Sequence, residues 1–570
     1  MFTSPRHFAA MMATGACVLF CLFSIENAQA EPEEYFAIRV VDRETGRGIP
    51  LVELRTTDKA QYFTDSNGYV AYREPGLMDQ QVWFDVSSWG YESPVGPYGT
   101  TGVALTTTPG SESVVELQRT NVAERLYRQT GVGIYRDTML LGKTPPLDVP
   151  LVNGQVAGSD SVQTVIYNGK MRWFWQDTNQ VKFALGNYSM TGATSPLPLE
   201  LNANIGIPFT YFLRQPGGFV RPMARVEQDG NHPIWVDGLM VVRDGNQRER
   251  LVARYVAARK DFSVAQTGLM VYDDAGDVFI EHRRLPLPTE SPLYPRDHPI
   301  RVTANGTEYF YIGAPPTVRV HADFDSVTNP SEYEGLTCYA ADGSIDRDQG
   351  GRIRFSWKQG QQPISQNQVD TLIREGLLEP EEAPFALRDV ASNNPVRVAN
   401  GSVAWNPFLK RWTMLFCEQG GDSFLGEVWF ATANAPEGPW VDCRKVATHA
   451  RPGQNMDFYN PKQHPELMRD GGRTIFFEGT FVNTFSGTTV PVPRYNYNQL
   501  MYRLDVSDER IEMLSPPPGL TFAQASEPSA SADRNVGRDC NQGRGPGTQV
   551  TPKWNRLERP ELSRSTNPTP

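Results

Sequence analysis

VIYNGKMRWFWQDT, residues 165–178, reads as a strand, a turn, and a second strand whose centre is Trp173, Phe174 and Trp175. The phrase returns in altered form as WVDGLMVVRDGNQRERLVARYVAARK (235–260), YFYIGAPPTVRVHADF (309–324), GSVAWNPFLKRWTMLFCEQ (401–419) and GGRTIFFEGTF (471–481). Its returns are spaced more widely than a hairpin and more closely than a domain. Sets of four strands returning every ~40–50 residues are the mark of a β-propeller. Such a fold gathers the first strand of every blade around one central funnel, so polar residues far apart in sequence are expected to meet there.

The rest of the chain fits an all-β protein of more than one unit. Its 570 residues exceed one ordinary core, and 45 Pro with 49 Gly favour a turn-rich β chain over a helical one. The net charge of −11 opposes nonspecific attraction to nucleic acid or an anionic membrane, and no dense basic run counters it. Residues 1–30 place Arg6 and His7 before an apolar stretch from Phe8 to Ile25 and end in Ala28-Gln29-Ala30, the layout of a cleavable signal peptide. The expected location is therefore secreted or periplasmic. No later stretch is apolar enough to be a transmembrane segment. Past the signal, Cys338, Cys417, Cys443 and Cys540 are widely spaced; a Cys417–Cys443 bridge and buried free thiols both suit the pattern.

Residues 33–118 form a first unit of alternating apolar and polar residues with turns at Glu44-Thr45-Gly46 and Asp65-Ser66-Asn67-Gly68, as a small β-sandwich requires. Asp65 and Asn67 are read as turn formers rather than calcium ligands. A connector, 121–142, opens with a short helical pattern of Val122, Leu126 and Tyr127. Five blade-like units follow at about 150–200, 225–290, 300–360, 395–450 and 455–510, so the propeller is expected to span 121–512. Within the insert 361–389, Val369, Leu372, Ile373 and Leu377 predict a helix. The residues from 513 to 570 are rich in Pro, Ser and Arg and read as a disordered or surface-strapped tail.

Carboxylates at the openings of inner strands are the candidates for chemistry. Asp160 precedes the first aromatic strand, Asp177 ends the second, and Asp237 opens the next unit. An acid at the start of an apolar strand costs desolvation unless it gains partners. Several acids sharing a funnel would separate into proton donors and acceptors, as glycosidic-bond cleavage requires. Asp177 with Thr178 also suits a plain turn. Trp173, Trp175, Trp235 and Trp405 offer flat faces to sugar rings, against a purely packing role between blades. Tyr459, Lys462 and His464 cluster in YNPKQHP, and Glu418, Glu427 and Glu478 follow in the later units.

Two resemblances add to this. Val41-Asp42, Thr45-Gly46, Ile49-Pro50 and Val52, followed by Thr64-Asp65, Gly68 and Tyr69-Val70, resemble the carboxypeptidase-regulatory-like, transthyretin-type sandwich, which implies a structural or docking module. RWFWQDT (172–178), WVDGLMVV (235–242), GEVWFATANAPEGPW (426–440) and YNPKQHPELMRDGGRTIFFEGTF (459–481) are similar to blades of five-bladed propeller glycoside hydrolases of the arabinanase and fructosidase type. That resemblance implies Asp160 as base and Asp237 as orienting carboxylate. The third unit has no equally clear Glu at its inner strand to match the acid; Glu478 is assigned that role, with Glu334 and Glu427 as alternatives. Trp175, Trp235, Tyr459, Lys462 and His464 are the expected substrate contacts, and the partner is a polysaccharide or oligosaccharide. The same scaffold also carries polysaccharide lyases, in which Tyr459, Lys462 and His464 would do the chemistry, and a noncatalytic glycan- or protein-binding propeller is the competing class. No metal or cofactor motif is found, while a structural calcium ion in the funnel remains compatible with the sequence.

Overall fold

The computed structural model describes residues 34–511 except 188, 228–231, 262, 288–292, 422–424, 489–491 and 493–495, together with 525 and 526. The expected signal peptide and nearly all of the expected tail lie outside the described residues.

Alternation of side chains makes the N-terminal unit two-layered. Phe36–Asp42 pairs antiparallel with Tyr69–Tyr72 and parallel with Glu112–Arg119, and Tyr91–Glu92 completes that sheet. A second sheet orders Gln61–Phe63, Glu53–Thr56, Gln81–Ser87 and Val103–Thr106. In Gln81–Ser87 every second residue is buried, and Val82, Phe84 and Val86 meet Ile38, Val40, Leu54 and Leu117 in one apolar layer.

A small sheet orders Val156–Ser159, Thr178–Gln180 and Phe183–Asn187, and five larger sheets follow, each with its main strands antiparallel in chain order. The first orders Val162–Tyr167, Lys170–Trp175, Thr191–Ser195 and Thr210–Tyr211. The second contains Ile234–Arg243, Glu249–Ala258, Val264–Asp273 and Val278–Leu285, with Ala224–Arg225 at its outer edge. Ile300–Ala304, Thr307–Gly313, Pro316–His321, Glu334–Thr337 and Ser356–Gln359 belong to the third. The fourth holds Val398–Asn406, Arg411–Glu418, Val428–Ala433 and Val441–Ala447. Asp457–Gln463, Thr474–Val482 and Asn498–Asp505 form the fifth, whose outermost strand is Glu124–Arg128.

Large side chains between the sheets decide their order in space. Phe174 packs on Tyr255 and Phe279 between the first and second sheets, and Met240 and Val252 meet Phe310 and Val318 between the second and third. Tyr311 meets Trp412 and Trp429 between the third and fourth. Leu415 and Phe430 pack with Phe458 and Phe477 between the fourth and fifth. Met171 and Trp173 of the first sheet then share a layer with Phe476, Met501 and Tyr127 of the fifth. Each sheet touches the next and the last returns to the first, which closes a ring. At its centre the first strands of the first and second, the fourth and fifth, and the fifth and first sheets adjoin one another.

The helical reading of Val122, Leu126 and Tyr127 is corrected. Glu124–Arg128 is a strand with every residue buried, because Leu126 and Tyr127 fill the seam between the fifth and first sheets. A helix there would leave the outer edge of Asn498–Asp505 unpaired. The helix expected in the insert is present as Gln366–Arg374, capped by Ser365, whose side chain accepts from Gln368 N, and buried through Val369 and Leu372. Of the two readings of the cysteines, the free one holds: Cys338, Cys417 and Cys443 are buried thiols.

Candidate functional site

Asp160 and Asp177 face each other across the hairpin that opens the first sheet. The pairing of Val162–Tyr167 with Lys170–Trp175 runs on past both strands: Asp160 N donates to Asp177 O at 2.9 Å, and Gln176 N to Asp160 O at 2.9 Å. The Asp160 carboxylate accepts from Ser161 Oγ at 2.6 Å and Thr480 Oγ1 at 3.3 Å, and also from the hydroxyls of Tyr459 and Tyr497. Burial nonetheless outweighs these donors and pushes its pKa up. Among the described residues Asp177 has a single side-chain donor, Trp235 Nε1 of the second sheet at 3.0 Å. Burial and then the nearby Asp160 charge, against that one bond, push it up to about 6.

Asp237 lies in the first strand of the second sheet, Ile234–Arg243, two residues from the Trp235 that bonds Asp177. Burial raises Asp237 to about 6 as well, opposed by Arg254 and reinforced by Asp297, and its Oδ1 has no hydrogen-bond partner among the described residues. Segment 294–298, which leads into the third sheet, lies against it. Gly238 permits that approach: its φ is +65°, and a Cβ there would stand 2.6 Å from Arg296 N. Arg254 lies over the Tyr294 ring at 4.0 Å and Arg296 pairs with Asp297 at 3.4 Å.

From the fourth sheet Asn400 Oδ1 accepts from Asn460 N at 3.1 Å, and the Asn460 side-chain amide bonds Ser161 Oγ of the first sheet. Four residues here, Ser161 (φ 34°), Asp297 (φ 53°), Asn460 (φ 53°) and Tyr497 (φ 63°), hold left-handed backbone conformations without being glycine. Such strain persists where the surroundings over-determine it, and it gathers at functional sites. Unpartnered buried atoms gather here too: besides Asp237 Oδ1 they include Gln176 Oε1, Arg296 Nε, His298 Nδ1 and Asp457 Oδ1. Each is costly to leave unmet in a folded protein, and a polar ligand would meet them.

The expected site residues thus divide into two groups. Asp160, Asp237, Trp235 and Tyr459 belong to the central region, and Asp177, which the sequence offered also as a plain turn, stands between them. Lys462, His464 and Glu478 form a separate network in the seam between the fifth and first sheets. His464 Nε2 bonds Glu478 Oε1 at 2.9 Å, and His464 Nδ1 stands 3.5 Å from Glu466 Oε1. Glu478 Oε2 accepts from Gln129 Nε2. Burial disfavours charge on His464, but the two glutamates outweigh it and raise its pKa. Burial likewise pushes Glu466 up, yet Lys462 and His464 hold it down at about 2. Lys462 is lowered by burial more than the glutamates raise it, and it donates to Gln463 O at 2.7 Å.

Glu478 is completely buried with both oxygens engaged, a setting for fixing His464 rather than for meeting a ligand. Trp175 is also completely buried, packed on Phe209 at 5.0 Å and Tyr211 at 5.3 Å. Of the alternative acids, Glu334 pairs with Arg319 away from the centre, and Glu427 is buried beside Thr448 Oγ1 at 3.0 Å. Among the described residues no group of three or more His, Cys, Asp or Glu is arranged to hold a metal ion.

No family model matches the chain, and no curated protein matches it. Solved structures do show similarity, all at low identity. A protein of Bacteroides ovatus provisionally assigned as a hydrolase aligns with TM-score 0.38 and 15% identity over 63% of this chain and 89% of its own. A GH43_1 enzyme of Xanthomonas citri aligns with TM-score 0.30 and 11% identity over 68% and 94%. A family 117 glycoside hydrolase of the marine bacterium Zobellia galactanivorans gives TM-score 0.32 and 11% identity over 70% and 96%. These likenesses are too distant to transfer a residue's role, and the site is read from this chain alone.

Proposed function

We propose that the chain is a secreted carbohydrate-active enzyme, a glycoside hydrolase acting on a polysaccharide. In this reading the ring of five sheets is a five-bladed propeller over 121–512, and the N-terminal pair of sheets is a transthyretin-type sandwich. The observation that carries it is the charge-coupled pair of Asp160 and Asp177, bonded through Trp235 to the strand that bears Asp237, all three with raised pKa values among unpartnered polar atoms contributed by several sheets.

Raised carboxyl groups in unequal surroundings supply both an acid and a base. Asp160, with four side-chain donors, is the group best supported as an anion and acts as base. Asp237, with a bare Oδ1 and a pKa of about 6, keeps a proton to donate to the departing sugar oxygen. Asp177 is coupled to Asp160 by charge and tunes it. Trp235, held by its bond to Asp177, offers its ring to the sugar. Glu478 is removed from the acid role and kept as the positioning partner of His464.

Hydrolysis is favoured over lyase chemistry because the cations near these carboxylates already face acids: Arg254 opposes Asp237 by charge, Arg296 faces Asp297, and Lys462 and His464 face Glu466 and Glu478. A uronate needs a cation free to neutralise it. Asp160→Asn and Asp237→Asn, assayed on a panel of plant and algal glycans, are each expected to lose cleavage about 100-fold or more. Wild-type rates in both variants would overturn the assignment of these carboxylates, no cleavage by the wild-type protein would leave a noncatalytic binder, and unsaturated products would mean a lyase.

A further inference from the structure

Outside the central region, a cavity of about 190 Å³ opens between the connector and the outer part of the first sheet, lined by Gln129, Asp148, Val149, Asn153, Phe209 and Tyr211 among others. Phe209 and Tyr211 give it aromatic walls, held in place by their packing on Trp175. Its floor holds Gln129, which is 5% exposed. The Gln129 amide nitrogen donates to Glu478, which fixes the orientation of the group, and its Oε1 is left without a partner among the described residues. A buried carbonyl oxygen held unmet beside an open cavity is an acceptor waiting for a donor.

We propose that this cavity is a second binding site, taking one small neutral polyhydroxylated molecule, such as a single sugar ring, whose hydroxyl donates to Gln129 Oε1. The volume falls below the roughly 300–1,000 Å³ of sites for larger ligands, which limits the occupant to one ring. An aromatic wall with a polar floor is the arrangement that receives the two faces of a sugar. Asp148, exposed at the rim, disfavours an anion. Gln129 is joined through Glu478 to His464. The site stands whether or not the central carboxylates cleave a glycan.

Saturation-transfer NMR on the full chain, titrated with D-glucose as probe, tests it. Thr210 is exposed and lines the cavity, so Thr210→Trp fills the space from outside without touching the core. The expected result is a Kd raised about tenfold or more in Thr210→Trp and in Gln129→Leu, and within about twofold of wild type in Asp160→Asn. No saturation of the wild-type protein by D-glucose, an unchanged Kd in Thr210→Trp, or a loss confined to Asp160→Asn would each overturn the proposal. Because Gln129→Leu also releases Glu478, Thr210→Trp decides if that variant fails to fold.

Discussion

An ionised carboxylate at position 177 works against the fold. Its folded pKa of about 6 lies above the ~3.9 of an unfolded aspartate, so the folded state holds the proton more tightly. The stability linked to that proton is complete below about pH 4 and is lost as the pH rises through 6. Asp177→Asn keeps an oxygen for Trp235 Nε1 and has no charge to desolvate. It should be more stable than wild type at pH 7 by up to ~3 kcal/mol, with the gap closing below pH ~4. Urea unfolding at the two pH values measures this, and a gap independent of pH would remove the desolvation account. The proposed acid sets a second pH dependence: as Asp237 ionises above about 6, cleavage should decline with rising pH, and a rate flat from pH 5 to 8 would exclude Asp237 from that role. Gly238→Ala places a methyl group 2.6 Å from Arg296 N at positive φ. It should destabilise the fold by more than ~1 kcal/mol and weaken cleavage by displacing segment 294–298. Asp160 and Asp237 could be singled out from sequence because an acid beside an apolar strand is conspicuous. Asp177 and Glu478 could not be sorted the same way, since exposure and hydrogen-bond partners decide between a turn, a catalyst and a structural anchor.

At the scale of elements, Glu124–Arg128 matters most. Besides completing the fifth sheet, it joins the N-terminal unit to the ring: Arg125 is buried and donates to Pro50 O at 3.1 Å, Trp89 O at 3.2 Å and Ser88 Oγ at 2.6 Å. Arg125→Met, of similar length but without donors, leaves these three acceptors unmet. The expected loss is roughly 3 kcal/mol or more, measured by urea unfolding; a loss below ~1 kcal/mol would show that water replaces the guanidinium. Spacing misread this element because Val122, Leu126 and Tyr127 fit a helical stripe as well as a buried strand. The strands of the five sheets were legible because their alternation and aromatic content repeat. The turn at Asp65 was legible too, though not its reach: Asp65 Oδ2 also accepts from Thr138 N at 2.6 Å and Thr138 Oγ1 at 2.7 Å, tying the unit to the connector.

Across the whole molecule, the N-terminal unit and the ring share one core. Leu51, Phe63 and Trp89 lie in the same cluster as Phe458, Phe481 and Leu500, with Trp89 on Phe481 at 5.2 Å and its Nε1 donating to Gln454 O at 2.9 Å. Calorimetry should therefore show one cooperative unfolding transition for both parts, and a separate early transition for the N-terminal unit would mean the shared cluster contributes little. The sequence by itself determined the β character of the chain, the repeating strand pairs and the acids at their openings, because alternation and turn chemistry act between neighbours in the chain. Only the tertiary structure decided which strand closes the ring, which carboxylates share the centre and which one is sealed behind His464. Pairing across hundreds of residues, and the loss of water around a charge, depend on groups that no local pattern brings together.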